Sequence, residues 1–394
     1  MRLGKYEHPA IVVGGGISAL QMIRNLGRNN VDVYSLTEQI DEANLSRYCK
    51  GYFNFPEVEH GFSELDSFLT RFRHELGDSP VVLPASDSSL VALGHLKARR
   101  TDCIIPIPTQ DVVKKFAYKY DFYRLLSDAE IPHPRTVELE SAELNELQFP
   151  LFLKPSYSQD FEETFGKKGF VINSKADLRK YSLLMREHNF DALLQEIISG
   201  PATNGYFVDG YLDQDSKTLA LFARKKLRSW PTFFGNTSLC VSVPIIEVKG
   251  MKDSILRLLT SLRFRGLFSA EFKIDARDRV CKLLDVNLRG WWNNSLSAAC
   301  GVNIILAAYL DAIGKGSVLP EVYEAGHYSI NFLNDLKSST TMIAQGHLPS
   351  IDWITSRHRL NWSVYSGDDP RPLALSLMLQ LFRTSKRELE SPFH

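Results

Sequence analysis

Short apolar runs alternate with amphipathic segments over the first quarter of the chain. The stretch "AIVVGGGISALQMIRNLGRNNVDVYSL" reads as strand, glycine-rich turn, helix and strand, and "SPVVLPASDSSLVALGHLKAR" repeats the strand–loop–helix pattern. The segment "CIIPIPT" at 103–109 reads as a last short strand. Alternating β and α units of this length predict a small parallel sheet, a Rossmann-like layer over residues 8–106.

The pattern changes after residue 110. An amphipathic helical stretch, "DVVKKFAYKYDFYRLLSDAEI", ends at "PHPRT", where two prolines stop it. Two strands joined by a polar loop follow in "FPLFLKPSYSQDFEETFGKKGFVINS", and then a helix and the strand "ALLQEII". From Pro201 to Asp285 the pattern is mostly strand, with one helix in "MKDSILRLLTSLRF", and after Trp291 it is mainly helical. The order predicts an α/β region, an α+β region and a helical tail.

Composition narrows the class of protein. The chain has 394 residues, too many for one ordinary core, so about two to four subdomains are expected. Lys plus Arg and Asp plus Glu both number 46, which argues against bulk binding to nucleic acid or to an anionic membrane. The five cysteines lack CxxC spacing, and no apolar run approaches the ~20 residues of a membrane span. These features predict a cytoplasmic protein with reduced thiols and with neither a nucleic-acid nor a membrane partner.

A glycine-rich turn, "VVGGGISAL", follows the first predicted strand and opens the first predicted helix. Gly14, Gly16 and Ala19 have the G-x-G-x-x-G/A spacing of a dinucleotide-binding turn, in its proper context. That fingerprint also requires an acid at the end of the next strand, but this strand ends in Leu and Thr, and Glu38 lies two residues beyond Leu36. A FAD- or NAD(P)-dependent oxidoreductase therefore stays open as an alternative, beside a tight strand–helix connection that binds no cofactor.

The polar pattern in "LLDVNLRG", residues 283–290, points to a different chemistry. Side chains alternate faces along a strand, so three apolar residues are expected on one face and three polar residues on the other. The apolar set is Leu284, Val286 and Leu288, and the polar set is Asp285, Asn287 and Arg289. Such a row is either a solvated face or an oxygen-ligand site beside an anion-binding arginine.

The stretch upstream, "SAEFKIDARDRVCK", supplies a partner strand. A turn centred on Asp278 pairs Glu271 with Asp285 in an antiparallel hairpin. Two opposed carboxylates repel each other unless a cation lies between them, and Mg²⁺ takes carboxylate and amide oxygens. The hairpin therefore predicts a Mg²⁺ site that Asn287 completes. The alternative is a surface hairpin whose acids are relieved by Lys273 and by the arginine at position 289.

With this hairpin, the sequence resembles the ATP-grasp superfamily. In that superfamily an acid precedes an E-x-N motif by a similar interval, and together they hold the Mg²⁺ of MgATP. Glu271 matches the first acid, and Asp285-Val286-Asn287 matches E-x-N with Asp in place of Glu. The resemblance implies ATP and Mg²⁺ as cofactors, with Mn²⁺ as an alternative ion, and Arg289 as a clamp for an acyl phosphate or a carboxylate.

Further motifs of the superfamily occur in the expected order. The stretch "AYKYDFYRLL" places Lys119 where a phosphate-contacting Lys or Arg occurs, and "FPLFLKP" places Lys154 on the strand whose lysine contacts the α-phosphate. "LLQEIISG" resembles the linker strand of the superfamily, which leads into the backbone groups that contact adenine. Asn204 is the candidate for the ribose contact. The linker residues are Gln195, Glu196, Ile197 and Ile198.

Two stretches resemble a narrower group. "ARKKLRSWPTFFGN" and "DVNLRGWW" are most similar to a subgroup related to D-aspartate ligase and, more distantly, to the large subunit of carbamoyl-phosphate synthase. The resemblance to this subgroup implies that Lys226 binds nucleotide and that Arg228 clamps the acyl phosphate. The loop expected to cover the phosphates, "SYSQDFEETFGKKG", is long and poor in Gly and Ser. A catalytically degenerate ATP-binding protein of the same fold is therefore a further alternative.

The resemblance implies an α/β and α+β architecture in four parts. These are a Rossmann-like pre-ATP-grasp domain at 1–108, a small ATP-grasp subdomain with its linker at 109–200, a large subdomain at 201–318 and a mainly helical C-terminal region at 319–394. It implies a ligase that uses ATP to activate a small carboxylate, such as an amino acid, as an acyl phosphate and joins it to an amine. The amino-acid substrate is expected near "SDSSL" at 86–90 and "SRYC" at 46–49. A homodimer is a candidate assembly.

Overall fold

The computed structural model describes residues 6–54, 62–76, 79–139, 141, 147–157, 161, 164–232, 235–347, 351 and 359–378. Three sheets carry the fold of these residues. None of the helices in these ranges combines the length and the apolar character that a membrane crossing requires.

The first sheet has four parallel strands in the order β3-β2-β1-β4. Its elements are β1 (Ala10–Val13), α1 (Gly16–Gly27), β2 (Val33–Thr37), β3 (Cys49–Asn54), α2 (Phe62–Leu76), β4 (Val81–Pro84) and α3 (Asp87–Lys97). The predicted parallel sheet is confirmed, and its strands β1 and β4 are buried apolar runs, as expected when helices cover both faces. Strand β3 was not predicted. The expected strand at 103–109 contributes only an isolated bridge between Ile104 and Val81.

The second sheet is antiparallel throughout, in the order β5-β8-β6-β7. The elements of this region are α4 (Gln110–Ala117), α5 (Lys119–Asp128), β5 (Thr136–Glu138), β6 (Leu151–Pro155), β7 (Phe170–Ile172), α6 (Lys175–Glu187) and β8 (Ala192–Glu196). The sheet has a small core of its own, in which Leu153 and Phe161 are fully buried. The two strands predicted from "FPLFLKP…GFVINS" are β6 and β7. Part of the loop between them lies outside the described residues.

The third sheet has seven strands in the order β13-β12-β9-β10-β11-β14-β15. Its strands are β9 (Gly205–Leu212), β10 (Thr218–Trp230), β11 (Asn236–Val243), β12 (Gly266–Ile274), β13 (Cys281–Asn287), β14 (Tyr328–Ile330) and β15 (Leu360–Trp362). The α-helices of this region are α7 (Lys249–Ser261), α8 (Asn294–Ala299), α9 (Ile304–Ala312), α10 (Phe332–Ala344) and a last helix at 371–378. Two short 3₁₀ turns lie at Ala202–Asn204 and Ile245–Val248. Residues of the first and third sheets share two continuous hydrophobic cores, so the two sheets are held in a fixed relation.

The hairpin of β12 and β13 has the predicted register at the two acids, but a bulge lies directly beside them. Glu271 pairs with Asp285, whereas the next pair is Phe272 with Leu283. Leu284 is therefore the extra residue of a β-bulge, and it lines a cavity instead of joining the buried face. The expected apolar face is corrected accordingly, because Leu283 takes the buried position assigned to Leu284.

The described residues of the C-terminal region include two strands where a mainly helical region was predicted, and residues 348–350, 352–358 and 379–394 lie outside the described ranges. Strands β14 and β15 extend the third sheet, with β14 antiparallel to β11 and parallel to β15. The following turn is tied to the first domain through Asp369, which is fully buried and accepts hydrogen bonds from Arg24 Nε (2.9 Å), Ser46 Oγ (2.6 Å) and the Arg47 amide (2.9 Å). Ser46 of the "SRYC" segment thus binds the C-terminal region, and residues 46–49 do not line the cavity described below.

Candidate active site

Residues of all three sheets line one cavity of about 2710 Å³. The first sheet contributes the turns after β1 and β4, and the second contributes β6 and the end of β8. The third contributes one face of β9, β10, β12 and β13, together with the segment that follows β13. Thus the cavity brings together side chains far apart in sequence.

The two opposed carboxylates of the hairpin each meet a lysine from another element. Lys119 at the start of α5 donates to Asp285 Oδ1 at 2.6 Å, and Lys226 on β10 donates to Glu271 Oε1. Burial raises the pKa of Asp285, but the ammonium of Lys119 outweighs it and holds this pKa below its ordinary value. Lys273, expected as a relieving charge, instead donates to the Ile198 carbonyl at 2.9 Å. Two ammonium groups and two carboxylates therefore meet above this hairpin.

The donor set of this face suits a hard divalent cation. Glu271, Asp285 and Asn287 all line the cavity, and they offer carboxylate and amide oxygens on adjacent strands. Each carboxylate gives one oxygen to its lysine hydrogen bond and keeps a second oxygen. In the part of the chain that the structure describes, no three His, Cys, Asp or Glu side chains form a metal-binding group. Mg²⁺ fits such a sparse set, because it usually completes its shell with water and substrate phosphates.

Lys154 is held on β6 beside the acids. Its Nζ donates to the Tyr123 hydroxyl at 2.7 Å and to Gln195 Oε1 at 3.0 Å. Burial, together with the positive charge of Lys119, lowers the pKa of Lys154 to about 7. An anionic ligand in this cavity would therefore meet an ammonium that loses its proton close to neutral pH.

The predicted nucleotide linker also lines the cavity. Glu196, Ile197 and Ile198 lie along its wall, and Gln195 is fixed by donating to Thr136 Oγ1 at 2.7 Å. Asn204 is placed differently, because its side chain donates to the Ile274 carbonyl at 2.9 Å and does not line the cavity. The geometry thus supports the linker residues as ligand contacts, and it gives Asn204 a structural contact.

Arg289 faces the first domain across the cavity. Its Nε and Nη2 atoms donate to the two carboxylate oxygens of Asp87, each at 3.1 Å. Burial alone would lower the pKa of Arg289, but the Asp87 carboxylate raises it above its ordinary value. Asp87 begins α3, whose first turn is closed by the Ser86–Ser89 capping box. The "SDSSL" segment, near which the amino-acid substrate is expected, lines the cavity.

Arg228 does not line the cavity. It is buried, and its Nε and Nη2 atoms bind the two oxygens of Asp335 on α10 at 2.8 and 2.7 Å. A break in the β10–β11 register lies beside it, so Lys226 and Arg228 do not share the simple alternation expected from sequence. A clamp role for Arg228 therefore lacks support in this geometry.

A second arginine of β10, Arg224, lines the cavity instead. It donates to Asp209 Oδ2 at 2.7 Å and to Ser269 Oγ at 3.1 Å, and it lies over the Phe207 ring, with 3.6 Å between guanidinium carbon and ring centroid. Ser269 pairs with Asn287 across the hairpin, so Arg224, which lies two strands from β12, reaches across β9 to a neighbour of the metal candidates. Arg224 was not singled out from the sequence, where "ARKKLR" offers several cations and no signal to choose among them.

The glycine-rich turn at the start of α1 is occupied by a side chain. Asp41 Oδ2 accepts from the Gly16 amide at 2.6 Å, and a Cβ atom on Gly15 would lie 1.9 Å from that oxygen. Burial raises the pKa of Asp41, and the amides of Gly16 and Ala43 partly offset this. The carboxylate thus takes the helix N-terminus that a dinucleotide pyrophosphate would need. The turn therefore does not support the oxidoreductase alternative.

Comparisons with known proteins agree on the fold. No protein-family model matches the chain. The D-aspartate ligase of Enterococcus faecium (strain Aus0004) is 23% identical over 309 residues, which are 70% of this chain and 73% of that protein.

Several solved structures have the same fold. One is the biotin carboxylase domain dimer of 2-oxoglutarate carboxylase from Hydrogenobacter thermophilus, in complex with MgADP, ADP and bicarbonate. It matches with a TM-score of 0.64 at 13% identity, and the match covers 82% of this chain and 74% of that chain. The N5-carboxyaminoimidazole synthetase of Staphylococcus aureus, complexed with ADP, matches with a TM-score of 0.61 at 15% identity, over 82% of both chains. The L-amino acid ligase of Bacillus licheniformis matches with a TM-score of 0.58 at 13% identity, over 79% of this chain and 77% of that one. These similarities confirm the ATP-grasp ligase resemblance and the mixed α/β and α+β architecture.

Proposed function

We propose that this chain, which resembles the ATP-grasp superfamily, is an ATP-dependent carboxylate–amine ligase. It activates a small carboxylate, such as an amino acid, as an acyl phosphate and joins it to an amine in an amide bond. One observation carries the proposal: the opposed acids Glu271 and Asp285 meet Lys119, Lys154 and Lys226 in a single cavity. Such a cluster holds both a cation site and the charges that bind polyphosphate.

In this proposal the carboxylates and one amide hold the cation, and the lysines hold ATP. Glu271, Asp285 and Asn287 would bind Mg²⁺ or Mn²⁺, which when bound neutralises charge on the phosphates. Lys119, Lys154 and Lys226 would contact phosphate oxygens in place of the partners they have here. The linker residues Gln195, Glu196, Ile197 and Ile198 would contact adenine. Asn204 would contact the ribose only after its side chain left the Ile274 carbonyl, to which it donates at 2.9 Å.

The reaction would need little covalent chemistry from the protein. A carboxylate oxygen of the substrate attacks the γ-phosphorus, and the bond to the bridging oxygen of ADP breaks. The amine nitrogen then attacks the acyl carbon, phosphate leaves, and the nitrogen loses a proton. Both steps gather negative charge, so positioned cations supply most of the rate enhancement. Arg289 would clamp the acyl phosphate beside Asp87, and Arg224 is better placed than Arg228 to assist it.

Release of ADP tests the proposal. The protein is incubated with MgATP and pools of amino acids, and ADP is measured for wild type and for a variant that lacks the Asp285 carboxylate. We expect at least one pool to stimulate ADP release from wild type only. If MgATP protects the protein against thermal unfolding while no pool releases ADP, the ligase proposal fails in favour of a degenerate ATP-binding protein.

The affinity for MgADP is expected to fall as the pH rises above 7. Lys154 has a pKa of about 7 in the free protein, and bound phosphate favours its charged form. Binding above that pH must therefore recruit a proton, which weakens it by up to about tenfold per pH unit. Titration calorimetry between pH 7 and 9 measures the slope. A Lys154→Met variant should bind more weakly and with a flat profile, and a flat profile for wild type would remove Lys154 from the phosphate site.

NADPH and FAD are expected not to bind at the glycine-rich turn. Asp41 already accepts the hydrogen bond of the Gly16 amide, and its negative charge repels a pyrophosphate. Fluorescence titration with NADPH, and absorption spectra after incubation with FAD, measure this directly. Enhanced NADPH fluorescence that is lost in a Gly16→Val variant would instead revive the oxidoreductase alternative.

The proposal includes small-molecule substrates and leaves a homodimer as a candidate assembly. One of the similar structures is a domain dimer. Sedimentation of the full chain decides whether this chain also forms one.

A further inference from the structure

The far end of the cavity is lined by apolar side chains from the C-terminal region, here called the C-terminal wall. It consists of Phe332, Trp362, Tyr365 and Leu377. The ring centroids of Phe332 and Trp362 are 5.6 Å apart, and those of Trp362 and Tyr365 are 6.1 Å apart. Phe332, Tyr365 and Leu377 are 43%, 44% and 43% exposed, so large apolar surfaces remain uncovered by the described residues.

This wall differs in chemistry from the part of the cavity that carries Glu271 and Asp285. The opposite end carries lysines and carboxylates suited to phosphate and metal, whereas the wall offers aromatic rings. Contiguous exposed apolar surface is costly in water, and in a concave site it commonly marks the place of an apolar ligand group. ATP and a small polar amino acid have no group that would use it.

One cation lies in the same wall. Lys337, five residues after Phe332 on α10, is exposed and lines the cavity. Within the described ranges its ammonium has neither an ion pair nor a hydrogen bond. An apolar surface with an adjacent unpaired ammonium suits a group that combines an apolar body with an anionic end.

The sheet order sets the distance that a substrate must span. From β12, which carries Glu271, four strand spacings lead through β9, β10 and β11 to β14, and α10 follows β14 directly. At about 4.8 Å per spacing, the wall lies on the order of 20 Å from the metal candidates along the sheet. An extended chain covers that distance with about six residues. A free amino acid is therefore too short to use both ends at once.

We propose that the amine substrate is an elongated molecule whose distal end combines a large apolar group with an anionic group. The amino group lies at the acyl phosphate, the apolar group packs on Phe332, Trp362 and Tyr365, and the anion pairs with Lys337. This assignment rests on the ligase function proposed above, and it adds a specificity site that the reaction itself does not require.

Matched hexapeptides test the substrate class. The probes are Gly₅-Phe, Gly₅-Ser and Gly₅-Phe amide, supplied as amines with MgATP and the amino-acid pools. We expect KM for Gly₅-Phe to be roughly tenfold lower than for Gly₅-Ser, because a phenyl group is buried. The amide, which lacks the anion, is expected to have a higher KM than the free acid. Equal KM values for all three peptides would overturn the inference while leaving the ligase function intact.

Variants on α10 locate the site. Phe332→Ser is expected to raise KM for Gly₅-Phe roughly tenfold with kcat unchanged, and Lys337→Gln to abolish the preference for the free acid over the amide. Leu336→Ser is the matched control, because Leu336 is an exposed apolar residue of the same helix that does not line the cavity. An equal effect of Leu336→Ser would contradict a specific site.

Binding without turnover separates the two proposals. Calorimetric titration of Gly₅-Phe and Gly₅-Ser into the MgADP complex requires no reaction. If no amine stimulates ADP release but Gly₅-Phe binds more tightly than Gly₅-Ser, the ligase function fails and the apolar site stands. If the two peptides bind equally and neither shows a lower KM, the site is refuted.

Discussion

An Asp285→Ala variant is expected to release ADP at least about 10³-fold more slowly than the wild-type protein under conditions that support turnover. The substitution removes one of the two opposed carboxylates and leaves the ammonium of Lys119 without the oxygen it contacts at 2.6 Å. It therefore weakens the cation site and misplaces a phosphate-binding lysine at the same time. Steady-state ADP release, measured at saturating ATP, reports the effect on kcat.

Two further substitutions make this result specific. Asp278→Ala removes an exposed carboxylate from the turn of the same hairpin, where Lys282 lies 3.0 Å from it. This substitution should change the rate by no more than about twofold. Asp285→Asn keeps the size of the side chain and removes its charge, so it should be nearly as slow as the alanine variant. If Asp285→Ala keeps more than a tenth of the wild-type rate, the cation site lies elsewhere.

An Arg228→Gln variant is expected to lower the free energy of unfolding by about 3–5 kcal/mol. The guanidinium and the Asp335 carboxylate form a bidentate pair in which both side chains are about 95% buried or more. Removing the guanidinium leaves the Asp335 carboxylate buried without its ion-pair partner, although the Ser238 hydroxyl still donates to it at 3.1 Å. Denaturation by urea measures the change, and at native conditions the catalytic parameters of the remaining folded protein should stay close to wild type.

Substitutions of Asp335, the partner of Arg228, and of the neighbouring Lys225 are the controls for this result. Asp335→Asn should be similarly destabilising, and the double variant Arg228→Met with Asp335→Leu should recover much of the loss, because two apolar side chains replace the pair. Lys225→Gln, a half-buried cation on the same strand, should cost less than about 1 kcal/mol. Full stability of Arg228→Gln with a large loss of kcat would restore Arg228 as a catalytic clamp.

The features that follow from local periodicity were predictable from the sequence. Alternating strand and helix patterns gave the parallel first sheet, and the polar turn of the hairpin gave the pairing of Glu271 with Asp285. These two inferences needed only residues close in sequence, or repeated units of one kind. The expectation of a substrate near the segment after β4 came from the family resemblance, and that segment does line the cavity.

The features that were not predictable depend on contacts between distant segments. The bulge at Leu284 leaves the pairing of the acids unchanged, and nothing in the alternating pattern reveals it. Arg224 and Arg228 look alike in "ARKKLR", and their different places are decided by Asp209 and by Asp335, the latter more than one hundred residues away. The short strands β14 and β15 are held by their neighbours in the sheet rather than by their own propensity.

Asp41 shows how a correct motif can give a misleading function. The G-x-G-x-x-A spacing predicted a tight strand–helix turn, and the turn is present with Gly14 at φ = +100°. The helix N-terminus is nevertheless satisfied by a carboxylate that comes from the segment after β2. The spacing specifies the backbone of the turn, and it does not specify which anion binds there.

Transfer of oxygen from the carboxylate substrate to phosphate tests the central claim most directly. Amino-acid pools labelled with ¹⁸O in the carboxylate are incubated with MgATP and the protein, and the released phosphate is analysed by mass spectrometry. If the carboxylate attacks the γ-phosphorus and phosphate later leaves the acyl carbon, each phosphate should carry one labelled oxygen in step with ADP, and Asp285→Ala should yield almost none. Release of ADP with unlabelled phosphate would contradict the acyl-phosphate ligase.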